Sequence, residues 1–96
     1  MVNRIVERFG PEKVILFGSH ARGEARPDSD VNLLVVMPAQ GSKRDAQLRV
    51  RNAVRDIRVP KDVIVSTPDE FAWRQRVAGT IERLASLEGR VLYARG

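Results

Sequence analysis

Cysteine is absent from this chain, and its absence excludes two kinds of site. None of the 96 residues can form a disulfide bond or supply a thiolate ligand to a metal ion, so an intracellular, cytoplasmic location is the simpler expectation. The N-terminus lacks the apolar block that a signal peptide requires. Apolar runs also stay well below the ~20 residues that a membrane-spanning helix needs. We therefore expect a protein that has no part in a membrane.

Aromatic residues are scarce, at 5% of the chain, and His20 is the single histidine. Modules that bind nucleic acid usually stack bases on aromatic side chains, so this scarcity argues against that class. Trp73 and Tyr93 are expected in the core or in an interface rather than beneath a nucleobase. A single histidine in a loop is more often a bystander than a catalyst, and we expect no more than a phosphate contact from His20.

Positive charge is in excess: 17 Lys and Arg residues against 12 Asp and Glu residues give a formal net charge of +5. Such a surface suits a nucleotide, a nucleic acid or an acidic protein face, or it serves only to keep the protein in solution. Most of the excess is arginine, which pairs with phosphate through two parallel hydrogen bonds. The composition therefore shifts the expectation towards a phosphate-containing ligand.

Apolar periodicity predicts four strands, at residues 13–17, 30–37, 62–66 and 91–93. It also predicts a helix before Gly10, a helix after the capping residue Ser42, a helix after Thr67 and a last helix that Gly89 ends. The long loop at 18–29 has room for one helical turn. We therefore expect one α/β (α+β) domain over residues 1–96, a small mixed sheet with helices packed on it as a two-layer sandwich.

The turn after the first strand has the residues of a phosphate site. Gly18 lets the backbone come close to a ligand, and Ser19 adds a hydroxyl donor to the free N–H groups of the turn. Arg22 follows three residues later, where a helical turn would direct it to the same place. An ordinary Gly-Ser turn with a surface arginine is the alternative, and these residues alone do not exclude it.

Acidic and amide side chains begin the second and third strands. Asp30 and Asn32 are two residues apart, so they share one face of a strand at a separation of roughly 6–7 Å. If the two strands are neighbours, Asp62 stands beside Asp30 at the same end of the sheet. Such a group can bind a metal ion, and Asp62 can take a proton from an attacking hydroxyl. Polar residues at the start of a strand are also common without any such role.

Three segments together resemble the minimal nucleotidyltransferase branch of the DNA polymerase beta superfamily. They are residues 16–35 (LFGSHARGEARPDSDVNLLV), 62–71 (DVIVSTPDEF) and 88–93 (EGRVLY). The resemblance covers nearly the whole chain, and the first segment is its most specific part. It implies a small mixed sheet flanked by helices. It also implies transfer of a nucleotidyl group from a nucleoside triphosphate, usually ATP, with two Mg²⁺ ions and release of pyrophosphate.

The resemblance also implies roles for particular residues. Gly18 and Ser19 would hold the triphosphate, and the metal positions fall on Asp30, Asn32 and Asp62. Asp30 and Asp62 would be the catalytic acids. Many minimal members are antitoxins that pair with a small helical HEPN protein and can add AMP to a tyrosine of that partner. Formation of homo-oligomers is left open.

One position departs from the family pattern, which has an acid where this chain has Asn32. An amide supplies a neutral oxygen in place of a carboxylate, so metal binding weakens and catalysis falls. The alternative to an active enzyme is therefore a catalytically weak antitoxin. Its basic helix face, which carries Arg44, Arg51 and Arg55, would meet an acidic partner surface. A module that binds nucleic acid is a distant third.

Overall fold

The computed structural model describes residues 1–95 and contains five helices and four strands in that range. In chain order these are α1 (Val2–Phe9), β1 (Lys13–Phe17), α2 (Ser19–Arg22), β2 (Val31–Val36), α3 (Lys43–Ala53), β3 (Lys61–Ser66), α4 (Pro68–Arg74), α5 (Ile81–Glu88) and β4 (Arg90–Ala94). All four predicted strands and all four predicted helices are present. The short helix α2 is the helical turn for which the predicted loop left room.

The four strands form one mixed sheet in the order β3-β2-β1-β4. Strand β1 is antiparallel to both β2 and β4, whereas β2 and β3 are parallel and are joined through α3. The two central strands, β1 and β2, are the most apolar segments of the chain. Because the starts of β2 and β3 lie at the same end of the sheet, their first residues are brought together there, beside the end of β1.

Both faces of the sheet are covered by helices. On one face, Ile5 of α1 and Val50 of α3 pack with Leu33 and Val35 of β2. On the other face, β2 residues pack with Phe71 of α4 and with α5. The α+β class and the mixed sheet are confirmed. The two-layer prediction needs a correction, because the continuous apolar run of β2 has two faces to bury and so the sheet becomes a middle layer.

Helix ends agree with the sequence signals, with one exception. The Ser42 and Thr67 side chains accept hydrogen bonds from the N–H groups of Asp45 and Glu70, as the capping pattern predicted. Gly89 does end α5, but its backbone is extended (φ −78°, ψ 163°) rather than left-handed. A side chain at Gly89 would run into Ala85 and Ile15, so close packing of helix on strand is the reason for glycine there.

One edge of the sheet, at β3, is covered by side chains of α3. At the β3 edge, side chains of α3 form hydrogen bonds with backbone groups of the strand. Gln47 accepts from Val65 N–H at 3.0 Å, and Arg51 Nε donates to Val63 O at 2.9 Å. These contacts block addition of a further strand at that edge.

Within residues 1–95, no helix is both long and apolar enough to cross a membrane.

Candidate active site

The turn after β1 is held in a conformation that requires glycine. Gly18 has φ 81° and ψ −154°, a region that side chains rarely permit. Its carbonyl accepts hydrogen bonds from the N–H groups of Ala21 and Arg22, at 3.1 and 3.2 Å, and this starts α2. Ser19 is therefore the first residue of a short helix at the mouth of the sheet. Its backbone N–H lies in the first turn, where no carbonyl of the helix can accept it.

Asn32 lies directly against this turn. It is the register partner of Phe17, the residue just before Gly18. A Cβ atom built on Gly18 would be only 2.6 Å from the Asn32 Nδ2 atom. The antiparallel pairing of β1 and β2 thus brings the predicted phosphate turn into contact with the predicted metal position, although they lie 14 positions apart in the sequence.

Asp62 stands opposite Asn32, not opposite Asp30 as the sequence suggested. Strands β2 and β3 are neighbours, as predicted, and their register pairs Asn32 with Asp62 and Val31 with Lys61. Asp30 precedes β2 and is exposed, level with the turn at Pro60, whose carbonyl accepts from Val31 N–H at 2.8 Å. The difference of two positions arises because β2 begins at residue 31, one residue later than predicted, and β3 begins at residue 61, one residue earlier.

The Asp62 carboxylate has a counter-ion within the protein. Arg51 of α3 donates from Nη2 to Asp62 Oδ1 at 3.0 Å, while its Nε holds the carbonyl of Val63. Both side chains are nearly half exposed, at 43% and 48%. An ion pair this exposed contributes at most about 1 kcal/mol, so a ligand can displace it. Sequence reasoning missed this pairing, because it named Arg51 only as part of a basic surface.

Arg22 is held by two carboxylates. Its Nε lies 3.3 Å from Glu24 and its Nη1 lies 3.2 Å from Glu88 at the end of α5. These hydrogen bonds, first that to Glu24 and then that to Glu88, raise the pKa of Arg22 above its ordinary value. Arg22 is thus a fixed cation beside the Gly18 turn. Its role as a phosphate ligand stays a prediction, and it requires exchange of these exposed partners.

His20 has a structural contact. Its Nε2 lies 3.1 Å from the carbonyl oxygen of Ser29, so the ring connects the start of α2 to the far end of the loop before β2. The Ser29 hydroxyl in turn accepts from Arg26 N–H at 2.9 Å. These contacts fix the loop that leads to Asp30. They give His20 a bracing role, and a phosphate contact of its ring stays a prediction.

The donor set at this end of the sheet limits which metal ions it can hold. Among residues 1–95, no three histidine, cysteine, aspartate or glutamate side chains are grouped to hold a metal ion. Asp30 and Asp62 supply two carboxylates, and Asn32 supplies one amide oxygen. Magnesium is commonly held by one or two carboxylates together with phosphate oxygens of the substrate. This set therefore fits an ion that arrives with a triphosphate, and the two ions that the resemblance implies stay a prediction.

A cleft opens on the other side of Asp62, between α3 and β3. Its volume is about 400 Å³, and its lining joins three cationic side chains to the Asp62 carboxylate and to apolar side chains. The lining residues are Leu48, Arg51, Asn52, Val54, Arg55, Lys61, Asp62 and Val63. The sequence indicated a basic face on α3, but it did not show that this face borders Asp62.

Comparison with known proteins decides the family. The nucleotidyltransferase domain family matches residues 1–86 of the chain. This chain belongs to that family. The matched range contains the Gly18 turn, Asp30, Asn32 and Asp62, and it stops before β4.

Individual relatives agree with this assignment. A protein adenylyltransferase, MntA, of Thermococcus cleftensis is 59% identical over 29 residues, which is 30% of this chain and 29% of that protein. The match thus spans less than a third of that relative's length. A crystal structure of a candidate nucleotidyltransferase from Sulfolobus solfataricus superposes with a TM-score of 0.68 at 25% identity, over 98% of this chain and 74% of the other. The family match and these relatives thus agree on the kind of domain.

A further solved structure shares the fold alone. It is a toxin–antitoxin complex with AMP-PNP, with a TM-score of 0.67 at 16% identity, and the match covers 98% of this chain and 70% of the other. The mixed four-stranded sheet with its helices is therefore an architecture that this nucleotidyltransferase and this toxin–antitoxin protein have in common with the chain.

Proposed function

We propose that this chain transfers AMP from ATP to the hydroxyl of a tyrosine on a helical partner protein of the HEPN type, as the antitoxin of that pair. The observation that carries the proposal is the contact between the Gly18 turn and Asn32, with Asp62 opposite Asn32 on β3. One short region thus holds a backbone turn suited to phosphates, a ligand pair for a metal ion and a carboxylate that can accept a proton.

The chemistry assigns separate tasks to these residues. Backbone N–H groups at Gly18 and Ser19, with the Ser19 hydroxyl, bind and orient the triphosphate. Asp30 and Asn32 would hold a magnesium ion, which when bound neutralises part of the negative charge on the phosphates. The tyrosine oxygen attacks the α-phosphorus and the bond to the pyrophosphate breaks. Asp62 takes the phenolic proton.

Asp62 is available for that task only when it leaves Arg51. In the structure its Oδ1 accepts from Arg51 Nη2 at 3.0 Å. An exposed ion pair of this kind costs little to break.

A second candidate is favoured by Asn32 itself. With an amide in place of the family's acid, nucleotide binding at Gly18, Ser19 and Arg22 survives more readily than transfer does. On that account the chain is an antitoxin that binds its partner and a nucleotide, with weak catalysis.

Titration of ATP, with and without Mg²⁺, against this chain and the Asn32→Asp variant tests the proposal. We expect both proteins to bind ATP, and we expect Mg²⁺ to strengthen binding more in the variant because a second carboxylate adjoins Asp30. Transfer of label from ATP to a tyrosine-containing acceptor should be measurable with this chain and faster with the variant. Transfer by the variant alone favours the weak antitoxin, whereas absence of ATP binding by both proteins contradicts both candidates.

A further inference from the structure

The cleft between α3 and β3 shares a side chain with the candidate active site. Asp62 lies on β3 opposite Asn32, and it also lines the cleft. The hydroxyl of an acceptor can therefore reach Asp62 only from a side that the residues around Asp62 leave open. The cleft, with a volume of about 400 Å³, provides such an approach.

The charges of the cleft are unbalanced. Arg51, Arg55 and Lys61 stand against the single carboxylate of Asp62. Lys61 donates from Nζ to the carbonyl of Ile57 at 2.6 Å, and this holds its ammonium group in place. Arg51 is shared between Asp62 and the β3 backbone. Among residues 1–95, Arg55 has no ion-pair partner, so its guanidinium is free to bind a carboxylate from another molecule.

The remaining lining favours a protein segment over RNA. Leu48 is 47% exposed, and it gives the cleft an apolar part above the buried Val54 and Val63. The lining contains no aromatic ring, so it lacks the stacking surface on which single-stranded RNA depends. A segment with both acidic and apolar side chains complements the cleft better than a phosphate backbone does.

We propose that this cleft docks an acidic segment of the acceptor protein, next to the tyrosine that is modified. Carboxylates of the segment pair with Arg55 and compete for Arg51, so docking frees Asp62 from its ion pair as the tyrosine arrives. This inference rests on the proposed function for the identity of the acceptor. The cleft and its charge imbalance do not depend on that function.

Binding of defined peptides, measured without nucleotide, tests the docking itself. The probe is a short fluorescein-labelled peptide with one tyrosine flanked by glutamates, and its twin has glutamine at the same positions. We expect the glutamate peptide to bind about tenfold more tightly at low salt, as measured by fluorescence anisotropy. Arg55→Glu should abolish this preference. Circular dichroism would show that the variant is folded, which we expect because the side chain is exposed.

Arg76→Glu is the matched control, because Arg76 is an exposed arginine outside the cleft and undergoes the same charge reversal. It should keep the preference for glutamate. An equal loss in both variants would mean that net charge, not the cleft, attracts the peptide, and would overturn the proposal. Tighter binding of a labelled single-stranded RNA, lost in Arg55→Glu, would overturn it in favour of nucleic acid.

Transfer assays separate this inference from the proposed function. With ATP and Mg²⁺, the Asn32→Asp variant should add AMP to the glutamate peptide faster than to the glutamine peptide. If both peptides react equally and Arg55→Glu changes nothing, the docking inference fails while the proposed function stands. If the glutamate peptide binds in an Arg55-dependent way but is never modified, the proposed function fails while the cleft remains a binding site for acidic segments.

Discussion

Single residues set the chemistry of this domain, and Asn32 is the clearest example. Its side chain lies between the Gly18 turn and Asp62, so it sits where phosphate and metal sites would meet. A carboxylate in its place would add one negative charge without a change of shape. The exchange is thus a test of chemistry that leaves packing almost untouched, which is why Asn32→Asp is the variant that decides between enzyme and weak antitoxin.

Gly18→Ala should lower both stability and nucleotide binding. Alanine at φ 81° and ψ −154° costs about 1–3 kcal/mol, and its Cβ would also press on the Asn32 amide. We expect a corresponding loss in the free energy of unfolding in urea, and weaker ATP binding by calorimetry. Gly10→Ala is the control, because Gly10 is also left-handed (φ 55°) but has open space around it, far from the turn. Unchanged ATP affinity in Gly18→Ala would remove Gly18 from the site.

The residues of the candidate site could be named from the sequence, but their pairings could not. Gly18 and Asp30 belong to one specific local segment. The ion pair of Arg22 with Glu88 joins residues 66 positions apart, and it depends on where α5 ends over the sheet. The pairing of Asn32 with Asp62 depends on the register of two strands. The local periodicity of the sequence indicates neither of these pairings.

Among the elements, α4, α5 and β3 are joined by a buried carboxylate. Glu82 of α5 is 4% exposed; its Oε2 accepts from the Ser66 hydroxyl at 2.9 Å, and its Oε1 faces Arg74 Nε at 3.1 Å. Among residues 1–95, Arg74 Nε and Glu82 Oε1 have no other partner, and the geometry between them is not that of a hydrogen bond. The attraction is therefore mainly between charges, and loss of either charge leaves the other without compensation.

Arg74→Met should therefore destabilise the fold. It leaves the buried Glu82 carboxylate with only the Ser66 hydroxyl, and a loss of about 1–3 kcal/mol in the free energy of unfolding follows. The double variant Arg74→Met with Glu82→Leu should recover much of that loss, because no charge then remains buried. Urea denaturation of the three proteins measures this. A double variant less stable than the single one would show that the pair itself holds α4 and α5 in place.

The contact between α3 and α4 makes stability depend on pH. Partial burial alone would raise the pKa of Glu70, but hydrogen bonding and charge from Lys43, with hydrogen bonds from Thr67, outweigh it and lower the pKa. Because the folded pKa lies below the unfolded one, this stabilisation is present above the unfolded value of ~4.3 and is lost as pH falls through the folded pKa. Asp56, whose pKa is lowered mainly by Arg4, acts in the same direction.

Lys43→Gln should weaken that pH dependence. Without the ammonium group, less opposes the effect of burial, which raises the pKa of the Glu70 carboxyl. The folded pKa therefore moves closer to the unfolded pKa. Urea midpoints measured from neutral pH to pH ~3 should fall less steeply in the variant than in the parent chain. Arg49→Gln is a control, because Arg49 lies on α3 and, among residues 1–95, its side chain donates only to the Gln40 carbonyl, at 3.4 Å. An unaltered slope in Lys43→Gln would contradict the role of this pair.

At the scale of the molecule, the sheet order decides which apolar residues matter. Strand β2 lies between β1 and β3, and its Leu34 is fully buried under α4 and α5. Strand β4 is an edge strand, and its Leu92 is 46% exposed. Leu34 and Leu92 are therefore the same residue type, but Leu34 is buried and Leu92 is exposed.

Leu34→Ala should cost about 2–5 kcal/mol of stability, because it leaves a cavity in the core. Leu92→Ala should change the free energy of unfolding by no more than about 0.5 kcal/mol, as exposed positions usually do. Chemical denaturation of both variants provides the comparison. Equal losses would show that β4 is as deeply packed as β2, which contradicts the sheet order.

The sequence by itself determined the elements, the family resemblance and the residues of the Gly18 turn, because each of these is written in short-range patterns: apolar spacing, capping residues and one dense motif. Tertiary structure decided what those residues face. The parallel register of β2 and β3 put Asp62 beside Asn32 rather than Asp30, and the packing of α3 on the β3 edge gave Asp62 both a counter-ion and a cationic cleft. Contacts between distant segments follow from the way in which whole faces are buried, and no local pattern of residues specifies them.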